Sequence, residues 1–250
     1  MHIKPLHHQL ENLQCLDADD FNALNGLLNK EQTISSGELL AIEGGNLSKV
    51  LLLTKGWAIR YKSIPDGRRQ ILNFLLPGDI FGFFSLLFKT AEYGVETLTQ
   101  VTASSFKPVQ LLEAFKEAPR LAVSLSWLAG QDERQLDEQI MRIGRRNAVE
   151  RMAHLFIELH YRLFQAGITD DDARRFPLTQ NILADTLGMS HVHANRSFRT
   201  LARRGLVSLH DGVIVLLKPA ALAEVANFDG SYLEQPPLPA TIKRELPEKC

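Results

Sequence analysis

Residues 178–217 read LTQNILADTLGMSHVHANRSFRTLARRGLVSLHDGVIVLL, and their spacing decides the architecture. With Gln180 as the start of a helix, Ala184 lies four residues on and Gly188 four beyond it. Alanine lets a second helix pack closely, and glycine permits the sharp turn between the two. Ser190 offers an N-cap for a second helix over 191–204. Ala194, Phe198 and Leu201 form its inward face, which leaves His193, Asn195, Arg196 and Arg199 largely on the open side. Gly205 is a C′ stop. Val207–Leu209 and Val213–Leu217 then flank His210-Asp211-Gly212, a glycine-containing hairpin loop. Helix, tight turn, helix and hairpin make a winged helix-turn-helix.

Charge points the same way. Between Ala173 and His210 stand six arginines, Arg174, Arg175, Arg196, Arg199, Arg203 and Arg204, against one acid, Asp185. The whole chain carries only −1. Positive charge gathered around one helix-turn-helix suits the phosphates of double-stranded DNA. An arginine near the start of the second helix can pair bidentately with guanine O6 and N7. Arg196 is therefore expected to read a base, with Asn195, His193 and His191 beside it. Thr179, Gln180, Ser190 and Arg199 are expected to hold phosphates and set the register. The alternative is a solvated basic helix in a protein-binding domain.

Upstream, Leu121, Leu125 and Leu128, then Leu136, Ile140 and Ile143, step by four and three. Pro119 opens this pattern and Gly130-Gln131-Asp132 interrupts it. A long heptad-like helix with polar flanks predicts a dimerisation seam; a core helix within one chain is the alternative. Residues 148–164 form a further helix, and 167–177, with Asp170-Asp171-Asp172 and Pro177, read as a loop with solvated acids. An apolar helix spans 220–225, and the tail from Phe228, with Pro236, Pro237 and Pro239, is expected to be poorly ordered.

Toward the start, Leu6, Leu10, Leu13, Leu24, Leu27 and Leu28 give residues 1–32 a helical texture. From Ile34 to Pro108, short runs such as Lys49–Leu53, Trp57–Lys62 and Gln70–Leu76 alternate with Gly, Pro, Asn and Asp breaks. That texture predicts a β-sandwich or roll with a hairpin tip at Pro65-Asp66-Gly67. The apolar window Ile71–Phe88 is cut by Pro77-Gly78-Asp79, so it reads as two buried strands joined by a turn, not a membrane span. The opening residues show no apolar signal core, and Cys15 and Cys250 make no disulfide framework. A cytoplasmic protein away from membranes is the expectation. The fold class is α+β over 250 residues: helices and a β-roll at 1–117, a dimerisation helix at 118–146, the winged helix-turn-helix at 147–226, and a tail at 227–250.

Taken together, residues 15–226 resemble the Crp–Fnr superfamily of bacterial transcription regulators. The resemblance rests on the glycine-punctuated roll, the Pro77-Gly78-Asp79-Ile80-Phe81-Gly82 turn, the long helix and the Leu178–Arg196 motif. It implies a β-roll sensor, a long dimerisation helix and a winged helix reading a palindromic operator as a homodimer, with RNA polymerase as partner of an activator. Gly144–Met152 matches the family's hinge and first DNA-domain helix, and a signal would bias Gly130–Asp132 and the Gly144–Asn147 hinge. His191–Arg196 and the Ala226–Leu233 tail look like a branch common in alphaproteobacteria.

The departures concern the signal. Cyclic-AMP-binding members carry a Glu after the glycine at position 82, where this chain has Phe83. Their Arg-Ser pair on the phosphate is replaced by Tyr93-Gly94. An anionic phosphate without a cation is poorly compensated, so cyclic AMP is not expected. Phe83, Ser85 and Tyr93 are the candidate effector-pocket residues. Cys15 alone cannot hold an iron–sulfur cluster within one subunit, and haem stays open through a His or the N-terminus. No cofactor is expected; His2, His7 and His8 read as a solvated terminus before a metal site. Many members have Glu at the position of Val192, where valine at best touches a thymine methyl. Two other classes are weighed: a ligand- or redox-sensing module with decayed DNA binding, and an enzyme. No nucleotide-binding glycine loop, zinc spacing or nucleophile motif supports the enzyme.

Overall fold

The computed structural model describes residues 4–11, 13–83, 88 and 90–246. The calls on His2, Ser85 and Cys250 lie outside them. The first half of the chain runs α1 (Lys4–Glu11), α2 (Ala18–Leu27), β1 (Gln32–Ile34), β2 (Leu39–Ala41), β3 (Val50–Lys55), β4 (Ala58–Ser63), β5 (Arg69–Leu75), β6 (Ile80–Phe81), β7 (Gly94–Thr97), β8 (Val101–Phe106) and α3 (Pro108–Glu117). The second half runs α4 (Pro119–Arg145), α5 (Ala148–Gln165), α6 (Asp170–Ala173), β9 (Arg175–Phe176), α7 (Gln180–Leu187), α8 (His191–Arg203), β10 (Val207–His210), β11 (Val213–Leu216), α9 (Pro219–Ala226), a 3-10 turn (Ser231–Leu233) and α10 (Ala240–Glu245). Internal contacts divide it into two units, residues 1–58, 75–133 and 234–250, and residues 59–74 and 134–233.

In the first unit, β1, β8, β3 and β6 form an antiparallel sheet in that order, with Gln32 opposite Ala103 and Val50 opposite Phe106. β2 pairs with β7. Inward residues of these strands fill the roll: Ala41, Leu53, Phe81, Val95, Val101 and Ala103. Gly56 turns the chain after β3 at φ +86°, where a Cβ would stand 2.3 Å from the Gln100 carbonyl oxygen. Only glycine tolerates both conditions. Helices cover the strands through Leu6, Leu10, Leu13, Phe21 and Leu24, packed with Leu52, Ala114 and Leu121. A second group joins Val50, Phe106, Leu111 and Leu125. Asp17 and Asp20 form a capping box at the start of α2, and Arg120 of α4 lies 3.0 Å from Asp17.

These packings correct several expectations. Leu121 and Leu125 are 1% and 4% exposed in the cores of their own chain, so they have no surface left for a seam. Leu128 also packs on those cores. A leucine every third or fourth residue marks an apolar face without saying what covers it. Gly130 does not break α4, which is continuous; one glycine costs about 1 kcal/mol in a helix, which packing on both sides outweighs. After the Pro77-Gly78-Asp79 turn, β6 has only two residues. Asp170–Ala173 forms a helical turn capped by Thr169, and Asp170 pairs with Arg174, so this segment is not an open loop. Asp211 and Gly212, both at positive φ, make a two-residue turn between His210 and Val213.

The second unit is organised by a buried charge. Arg142 of α4 is 1% exposed. Its guanidinium donates to Glu158 of α5, to Gln139 Oε1 at 2.5 Å and to His154 Nδ1 at 3.1 Å. Arginine only donates, so His154 accepts at Nδ1 and carries its proton on Nε2, 3.5 Å from Glu138 Oε2. Burial first, then the Arg142 and Arg146 charges, hold the His154 pKa down to about 2, so it stays neutral. Tyr232 donates to Glu158 Oε2 at 2.6 Å; burial first, then Glu158, push its hydroxyl above the usual range.

The expected loose tail is therefore corrected. Tyr232 and Leu233 are buried, Phe228 lies 4.9 Å from the His154 ring, and Gln165 Nε2 donates to the Leu233 carbonyl. In the first unit Leu238 packs beside Leu13. Prolines remove N–H donors but do not prevent such anchoring.

Glu158→Gln leaves the Arg142 charge buried without an anion and should lower stability by about 3–5 kcal/mol. Tyr232→Phe removes one hydrogen bond to a carboxylate and should cost about 1.5–3 kcal/mol. Urea unfolding of both variants checks this; equal losses would show that Glu158 is not the counter-charge.

Candidate nucleic-acid interface

Three elements of the second unit build the candidate interface. Thr179 caps α7, its hydroxyl oxygen accepting from Ile182 N at 3.3 Å. α7 ends on Gly188 at φ +59°, the left-handed position a tight turn needs. A Cβ there would lie 3.3 Å from Ile143 Cγ2, so α4 packs directly behind the turn. Ser190 then caps α8 by accepting from His193 N at 3.3 Å. Both capping hydroxyls accept from backbone and keep their own hydrogens to donate.

The faces of α8 divide cleanly. Ala194, Ser197, Phe198 and Leu201 are buried. His191, Val192, His193, Arg196, Arg199, Arg203 and Arg204 are exposed, and Asn195 is half-buried. The side chains singled out in the sequence thus share one capped helix, with Thr179 and Ser190 exposed at the starts of α7 and α8. Gln180 is half-buried, and its Oε1 is enclosed without a hydrogen-bond partner among the described residues. β10 and β11 form the wing and β9 adds a third strand, with Leu209 and His210 exposed near its tip.

Electrostatics favour an anion on this face. Asp185 is engaged by Arg69 Nε at 3.0 Å, and Asp170 by Arg174. Arg69 also lies over the Tyr61 ring, 5.2 Å from its centre. Arg69 thus pairs the one acid of the helix-turn-helix, while the arginines of α8 stay exposed. Sequence patterns missed this role of the β4–β5 hairpin, because Arg69 and Asp185 are 116 residues apart.

The hairpin and α4 also meet at the end of α7. The Thr186 carbonyl accepts from Gln139 Nε2 at 2.7 Å and from Gln70 Nε2 at 3.0 Å. Carbonyls in the last turn of a helix lack intrahelical partners, so two side-chain amides fill that need. Arg151 Nη1 donates to the Leu187 carbonyl and its Nε to the Arg146 carbonyl, tying the hinge to the turn. Asn147 caps α5 with Glu150 as capping box.

On α4, Ile140 is 69% exposed and Met141 50%, whereas Leu136 and Ile143 are half-buried. Met141 was not singled out in the sequence because it falls off the three-four ladder. In the roll, Phe83 packs with Val50, Phe106, Leu111 and Leu125, and Tyr93 with the strand core. Among the described residues, no three His, Cys, Asp or Glu side chains group to hold a metal, and no helix is long and apolar enough to cross a membrane.

A Crp-like helix-turn-helix domain model matches residues 150–225 and a cyclic nucleotide-binding domain model residues 31–118. The nitrogen fixation regulation protein FixK of Bradyrhizobium diazoefficiens is 29% identical over 199 residues, 80% of this chain and 83% of that one. FixK of Rhizobium meliloti is 30% identical over 196 residues, 78% and 86% of the two chains. The structure of FixK2 from Bradyrhizobium japonicum superposes with a TM-score of 0.69 at 25% identity, covering 78% of this chain and 96% of that one. Relatives that extend through both the roll and the winged helix leave one assignment: this chain belongs to the Crp–Fnr superfamily of DNA-binding transcription regulators.

Proposed function

We propose that the chain works as a cytoplasmic homodimer that reads a palindromic operator with α8 and answers to a signal other than cyclic AMP. The observation that carries this is the exposed, arginine-bearing face of α8 at its capped N-terminal end. Arg196 reads a guanine there, with Asn195, His193 and His191 beside it. Arg199 and the hydroxyls of Ser190 and Thr179 hold phosphates. RNA polymerase is a further partner if the regulator activates. Its work is binding, with no reaction of its own.

The dimer is argued from α4. Two large apolar side chains, Ile140 and Met141, stand in solvent on adjacent positions. A second copy of the same helix covers them, with Leu136 at the margin. A two-fold axis through that contact would place two α8 helices in successive major grooves. Of the six residues first expected, Leu121 and Leu125 are buried in their own chain, whereas Leu128 and Ile143, half-buried like Leu136, stand at the margin of the proposed seam.

The reading against cyclic AMP rests on Phe83 and Tyr93-Gly94 standing where cyclic-AMP-binding members carry Glu and an Arg-Ser pair. Phe83 and Tyr93 are aromatic side chains half-buried among apolar residues of two different clusters. They supply neither a carboxylate for a ribose hydroxyl nor a cation for the phosphate.

Three outcomes are expected. Arg196→Ala should cost roughly 1–3 kcal/mol per half-site and relax preference at one base pair, whereas Arg199→Ala should weaken all duplexes alike and reduce the salt slope by about one. Titrations against operator and scrambled duplex at several salt concentrations separate the two. Ile140→Glu places like charges across the axis and should weaken the dimer by about 3 kcal/mol or more, seen by sedimentation; an unchanged dimer refutes the seam. Cyclic AMP should leave the thermal midpoint unmoved, whereas a ligand at about 100 times its Kd adds about 2.7 kcal/mol.

A further inference from the structure

We propose that Val192 is a specificity residue that reads the 5-methyl group of a thymine one or two base pairs from the guanine contacted by Arg196. The inference rests on α8 entering the major groove, as proposed above.

Val192 is the second residue of α8 and is 67% exposed. It lies between exposed His191 and His193, on a surface otherwise made of histidine and arginine. The fold gives no reason for valine there. A β-branched side chain loses rotamer freedom in a helix and ranks below alanine and the straight-chain polar residues. The first turn favours acids or caps, and valine supplies neither charge nor hydrogen bond. The inward face is completed without it by Ala194, Ser197, Phe198 and Leu201. What Val192 contacts is therefore outside the chain, and this surface faces DNA.

The groove narrows the choice. Val192 and Arg196 are four residues apart on one helix face, about 6 Å along the axis. Base pairs rise 3.4 Å each, so about one to two steps separate their contacts. Major-groove edges present acceptors, amino donors and one apolar group, the thymine methyl. Opposite a cytosine or adenine amino group, valine would leave a buried donor unpaired. Val192 thus selects thymine by apolar contact and rejects the amino bases by leaving them unsatisfied. A 5-methylcytosine carries the same methyl, so methylation of a cytosine placed there would strengthen binding.

The test starts by selecting a binding sequence from a random duplex pool with the full-length protein. Each thymine of the selected duplex is then replaced singly by deoxyuridine, which removes the methyl and keeps the pairing. One thymine per half-site, within two base pairs of the guanine that Arg196→Ala releases, should lose about fourfold in affinity, the transfer value of one buried methyl. Cytosine at that position should bind weakly and 5-methylcytosine should recover part of the loss. Val192→Ala, too short to reach the methyl, should bind the thymine and deoxyuridine duplexes equally, with no loss of thermal stability and an unchanged guanine preference. Deoxyuridine harmless at every thymine, or a thymine-to-deoxyuridine ratio that survives Val192→Ala, overturns the proposal. A pool yielding no enriched sequence overturns the operator-reading proposal itself and takes this one with it.

Discussion

A guanidinium removed from water must find its anion and its acceptors inside the protein, and the second unit is arranged around that requirement at Arg142. Glu158 supplies the charge, while Gln139 and His154 take the remaining donors. Each partner belongs to α4 or α5, so satisfying one side chain sets the distance and rotation of two helices. Tyr232 closes the network from the far end of the chain by donating to the same carboxylate. His154 can serve only as a neutral acceptor, and burial together with the adjacent arginines keeps it so. Apolar packing alone would allow the two helices to slide, whereas a satisfied buried charge tolerates few geometries.

Gln139 carries this order to the helix-turn-helix. Its Oε1 accepts from Arg142 and its Nε2 reaches the Thr186 carbonyl, where Gln70 of the β4–β5 hairpin also arrives. Any displacement of the hairpin or of α4 must therefore break hydrogen bonds at the end of α7. The hairpin has an electrostatic part as well, because Arg69 occupies Asp185. The acid of the helix-turn-helix is thus paired by a segment 116 residues away in sequence.

α4 shows how one periodic helix divides its apolar residues among several neighbours. Its first turns bury Leu121 and Leu125 with α2, α3 and the strands of the roll. Its last turns press Ile143 behind Gly188 and enclose Arg142. Between these, Ile140 and Met141 are left to solvent. An amphipathic pattern carries the sum of these faces, and only neighbours separate them.

The sequence by itself determined the winged helix-turn-helix, because its signals are local: Ser190 as cap, Gly188 at positive φ, Gly205 after the helix, and the Asp211-Gly212 turn. The exposed face of α8 was legible for the same reason, since a helix of known start fixes which residues point outward. Turn chemistry likewise marked the roll, and the departures at Phe83 and Val192 were visible as residues without the needed polar groups. Only the tertiary structure decided which α4 residues are buried, that the Oε1 of Gln180 is enclosed, that the proline-rich tail is anchored, and that Arg69 and Asp185 meet. Those outcomes depend on residues tens to more than a hundred positions apart, brought together by burial of charge and apolar surface. No local propensity encodes such distances.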